Sequence, residues 1–150
     1  MGFFLVLIGL LLITTPKLSD NVVQFLSHFK VSQVGTTNMY IPWPENLGTN
    51  TDVYLAARQF SLVWGVFLIA MLAARFVFGS RLRRKAENIG DVVFWLGTAY
   101  LIQTHLVQPT ETSFVDVTGW FQFWATIIML IGVSLIARAI FLAAARARNM

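Results

Sequence analysis

Two groups of charged and amide side chains stand out from an apolar background. Arg75, Asp91 and Arg138 fall near one end of the long apolar runs, and Arg58, Gln103, His105 and Gln122 fall near the other. Charge close to lipid is costly and often tied to function, so each of these residues is a candidate. Counted from the middle of its own run, Arg58, Arg75 and Asp91 lie about 10 to 14 Å away along a helix axis and Arg138 about 8 Å. None sits at mid-depth. Arginine can reach the headgroups from such depths, whereas a short aspartate needs a partner. The expectation is a structural Arg75–Asp91–Arg138 cluster, with a gate or proton site as the sharper alternative.

Other chemistries find less support. His28 and His105 are far apart in sequence, and a third metal ligand would have to come from Glu111 or Asp116, a spacing that recommends no metal. A haem held by both histidines would need His28 at membrane depth, where it is not. The chain has no cysteine, which excludes thiolate metal sites, iron–sulfur clusters and disulfide exchange. No glycine-rich phosphate loop or nucleophile elbow is present. No catalytic, cofactor-binding or metal-binding residue is assigned.

The elements that must position these groups follow from composition. Of the 150 residues, 57% are hydrophobic and 12% charged; a soluble domain carries about a quarter charged. Most of the surface therefore does not face water, and the length allows one domain. Thirteen Phe and five Trp suit a lipid-facing, interface-anchored surface. The net charge of +4 comes from basic residues at the ends of apolar segments, a topology signal and not a nucleic-acid surface.

A bilayer crossing takes about 20 apolar residues. Three segments qualify, about residues 54–78, 89–107 and 120–145, and a shorter run covers 2–15. The short run competes with a signal peptide, but it lacks a basic leading region and a clean cleavage site. A short first helix is preferred, either thinning the bilayer locally or lacking residues at its start. The expected fold is all-α, a four-helix transmembrane bundle. The basic loop 79–88 (Arg81, Arg83, Arg84, Lys85) and the carboxyl end (Arg138, Arg146, Arg148) are placed in the cytoplasm. That puts both termini inside a multi-pass protein of the cell membrane, and segment 16–53 outside.

Within 16–53, Ser19 is a candidate N-cap for a helix over Asp20–Lys30 with Val22, Phe25, Leu26 and Phe29 on one face. This amphipathic helix would lie on the leaflet or cap the bundle. Residues 30–34 and 39–43 flank Gly35-Thr36-Thr37-Asn38 and can form a small hairpin. Tyr40 and Trp43 there are candidate docking residues for a partner outside. Ala57, Ser61 and Gly65 on one span, Gly90 and Gly97 on the next, and Ala139, Ala143 and Ala147 on the last are small-residue faces for helix packing. They serve the bundle itself or another subunit.

The stretch Arg81 to Tyr100, RLRRKAENIGDVVFWLGTAY, distantly resembles the basic-Asn-Glu segment of membrane-bound glutathione transferases. It lacks that family's histidine and precedes the third span instead of the second, so no function is carried over. Vitamin K epoxide reductases and disulfide oxidases are excluded by the missing cysteines. Small multidrug transporters are excluded by a first helix without an acidic residue. The layout is loosely similar to archaeal four-helix membrane proteins. The favoured function is a non-catalytic structural or accessory subunit, partnered by the bilayer and by other membrane subunits or its own copies. The alternatives are an oligomeric channel or transporter, and a lipid- or quinone-acting enzyme using Arg58 and His105.

Overall fold

The computed structural model describes residues 2–44, 51–79, 81–107 and 117–147. They are mostly helical. Two helices are long and apolar enough to cross a membrane, α3 (Thr51–Val77) and α5 (Val117–Ala147). Their 27 and 31 residues correspond to about 40 and 46 Å. Helix α4 (Leu82–Ile102) has the length, but Arg83, Arg84, Lys85, Glu87 and Asp91 crowd its first half. The expected basic loop 79–88 is thus corrected: from Leu82 onward it is helix. Beyond Ile102 the chain widens into a π-helical turn, Gln103–Val107.

The expected first crossing is α1 (Gly2–Thr14), only 13 residues long and so about 20 Å. It packs along α3, with Phe3 stacked on Phe67 at 3.9 Å and Leu11 against Ala56. α2 (Leu18–Ser27) follows after a bend of 94°, and only this bent pair taken together has the length and apolarity of a span. Pro16 fixes one turn dihedral, and Lys17 takes the left-handed conformation at φ 59°. Lys17, not Ser19, therefore precedes the helix, and it makes no side-chain cap. The expected apolar face divides: Val22 and Phe25 pack inward, Leu26 stays exposed, and Phe29 belongs to a strand.

Strands β1 (Phe29–Gln33) and β2 (Tyr40–Pro44) form the hairpin, antiparallel from Phe29↔Pro44 to Gln33↔Tyr40. Val34 N–H donates to Met39 C=O at 2.9 Å, and Gly35 supplies the positive φ of 53° that the turn requires. Pro42 and Pro44 are tolerated because a two-stranded ribbon has only edge strands. The hairpin is fixed to the helices by Trp120 Nε1, which donates to Pro42 C=O at 3.0 Å. Phe25 and Phe29 meet that indole in edge-on contacts, and Tyr54 meets Phe25 in another. Residues 18–44 therefore form a cap docked on the helices.

Helix α4 is central. It packs along both α3 and α5, whereas α3 and α5 barely meet, and α1 lies on α3 alone among the long helices. Glycines let α4 approach its neighbours closely. A Cβ on Gly65 or Gly97 would stand 2.5 Å from Leu96 or Leu130, and one on Gly90 would stand 3.1 Å from the Ser134 carbonyl oxygen. The result is a three-helix layer, with α1 covering part of one face.

Candidate functional site

At the basic end of the layer, the ion pair expected at Asp91 forms elsewhere. Arg138 Nη2 donates to Glu87 Oε1 at 2.9 Å, and Arg83 Nε reaches the same oxygen at 3.1 Å. Glu87 lies one helical turn before Asp91, and that turn brings it level with Arg138. Arg75 Nη1 donates to the Arg84 carbonyl at 2.7 Å, holding the α3–α4 connection. Asp91 is exposed but within electrostatic range of Arg138, Glu87 and Arg75. The three residues therefore share one region, with Glu87 as the carboxylate in direct contact with Arg138.

Asn88, one residue on, is 2% exposed and donates from Nδ2 to the Leu68 carbonyl at 2.8 Å. Lys85 Nζ sits 4.5 Å from the centroid of the Phe76 ring. Sequence reasoning missed both Glu87 and Asn88. Glu87 carried a signal, since it follows Arg83 by four residues on the helix it was thought to precede. Asn88 carried none that separates it from a loop asparagine.

At the cap end, Arg58 Nη1 donates to Gln103 Oε1, joining α3 to the π-helical turn. His105 lies in the same turn, half-buried. Gln122 stands on an exposed face of α5 and takes no part in the Arg58–Gln103 bond. Tyr54 Oη and Arg58 Nε, one helical turn apart on α3, are buried with no hydrogen-bond partner among the described residues. His28 ends α2, its Nδ1 2.7 Å from the Gln24 carbonyl oxygen. No group of three metal-ligating side chains occurs among the described residues. Glu111, Asp116 and Arg148 lie outside them.

The hairpin's two docking candidates differ. Trp43 turns inward, its Nε1 donating to Ser32 Oγ at 3.0 Å, and packs against the cap-end core. Tyr40 is 65% exposed, beside Met39 and on the face of the ribbon that also carries Val31.

A sizeable space lies where α3 and α5 fail to meet. It is an apolar cleft of about 540 Å³, lined by Ala57 (α3), Trp95 and Ile102 (α4), Phe123 (α5), Leu11 (α1) and Val22 (α2). Its surface presents almost no polar atom: Ser61 Oγ donates to the Ala57 carbonyl, and Thr98 Oγ1 is enclosed. Two of its lining residues, Phe60 and Trp95, belong to an aromatic cluster that continues through Trp64, Phe3, Phe4 and Phe67 in stacked and edge-on contacts. Neither Arg58 nor His105 lines the cleft. Compared with protein-family profiles, curated proteins and solved structures, the chain matches none.

Proposed function

We propose that this chain is a non-catalytic integral membrane protein, a structural or accessory subunit of a membrane assembly. In this reading α3, α4 and α5 cross the bilayer, α1 enters as a short fourth helix, and the cap faces outward. The basic ends of α4 and α5 lie in the cytoplasm, following the positive-inside rule. The observation that carries the proposal is the cap. Residues 18–44 are clamped to the helices by Trp120 and its aromatic surroundings, yet Val31, Met39 and Tyr40 stay 68%, 49% and 65% exposed. An apolar patch outside the membrane is a ready docking surface.

Two further points support it. Three polar ties join the helices, at Arg138–Glu87, Asn88–Leu68 and Arg58–Gln103. The cleft does not reach Arg58 and His105, the pair a lipid- or quinone-acting enzyme would use. Affinity purification from native membranes tests the proposal. The native chain is expected to retain a stoichiometric membrane partner, and Tyr40→Arg to lose it while keeping its helicity. A native chain that purifies with no partner would defeat the reading.

A further inference from the structure

We infer that the cleft between α3 and α5 holds the hydrocarbon tail of one membrane lipid, a site separate from the exposed hairpin face around Tyr40. The inference rests on α3 and α5 crossing a bilayer. Three observations lead to it: where the cleft lies, what lines it, and how large it is.

The cleft lies between the two helices apolar enough to cross a membrane, on one face of α4. From Val53 to Ser61 on α3 and from Phe94 to Ile102 on α4, its walls run eight residues, about 12 Å. One leaflet contributes about 15 Å of hydrocarbon, so the depth is that of a single leaflet. The lining then excludes water. A buried water needs two to four polar partners, and the surface of the cleft offers almost none.

The volume also suits a hydrocarbon chain. A methylene takes about the room of one water, about 30 Å³, so the 540 Å³ of the cleft holds about 18 of them. That is the bulk of one lipid tail. α1 closes only the α3 side, because its Leu11 and Phe3 rest on Ala56 and Phe67. The cleft is open at its surface, where a tail can enter.

The test uses the full chain in vesicles of dioleoylphosphatidylcholine. These are doped with a phosphatidylcholine that carries a photoactivatable diazirine midway along one tail. After irradiation, adducts are located by peptide mass spectrometry. They are expected on the segment from Trp95 to Ile102 at about fivefold or more over Ile136 and Ile140, which are exposed elsewhere on α5. Ala57→Phe, which projects a ring into the cleft from an exposed position, should cut the cleft adducts about fivefold and leave those at Ile136 and Ile140 unchanged. Trp124→Ala, which widens the cleft, should raise them. Equal labelling of every exposed apolar face would mean ordinary surrounding lipid only and would overturn the inference. Cleft adducts indifferent to both substitutions, or a second copy crosslinked over the cleft, would overturn it as well.

Discussion

Gly90 and Gly97 share one face of α4, but their neighbours differ in how far they can give way. A Cβ at Gly97 meets the branched end of Leu130, which can rotate aside, whereas one at Gly90 meets the backbone oxygen of Ser134. Gly90→Ala is therefore expected to cost about 1–3 kcal/mol and Gly97→Ala less than about 1, read as midpoints of thermal unfolding in detergent. The reverse order would mean that the α4–α5 contact lies elsewhere. A second comparison concerns the carboxylates. Because Arg138 contacts Glu87, Glu87→Gln should lower stability by up to about 1 kcal/mol, the range for a half-exposed ion pair. Asp91→Asn should leave it nearly unchanged. A larger loss from Asp91→Asn would return the partnership to Asp91. Residue types were legible in the sequence here, and the pairing was not. A pairing depends on where a helix begins, and starting α4 at Leu82 instead of residue 89 makes Glu87 a helical neighbour of Arg83.

Among the elements, the cap separates what local sequence encodes from what tertiary contact adds. The hairpin was legible because Gly35 sits in a polar turn between two β-prone runs, and its strands lie within one residue of their expected positions. Its docking onto the helices was not, because Trp120 and Pro42 are 78 residues apart and no local pattern links them. Trp120→Phe keeps an aromatic ring, though a smaller one, and removes the donor. Amide exchange in residues 29–44 should then quicken several-fold while α4 stays protected, since a lost hydrogen bond is worth about 1 kcal/mol. Unchanged exchange would show that the aromatic contacts alone hold the cap. α1 was legible as a short apolar helix, but the break at Pro16–Lys17 sends the chain through a right-angled turn that the apolar pattern alone does not announce.

At the scale of the whole molecule, the proposed orientation is open to a direct experiment because the chain contains no cysteine. Thr36→Cys in the hairpin turn should react with a membrane-impermeant maleimide added to intact cells. Arg81→Cys, between α3 and α4, should react only after the membrane is opened. The opposite pattern would invert the topology. The length and apolarity of α3 and α5 were plain in the sequence; the cleft between them was not, since it arises from which helices avoid each other. The central place of α4 also bears on how the chain is made. Its charged first half gives it a weak tendency to leave the translocation channel for lipid alone. Residues 78–81 are all that separate it from α3, so the two can enter the bilayer together as a helical hairpin. α3 then acts as an escort for α4 during synthesis, and damage to the α3–α4 seam should show first as failed insertion of α4 and only afterwards as lost stability.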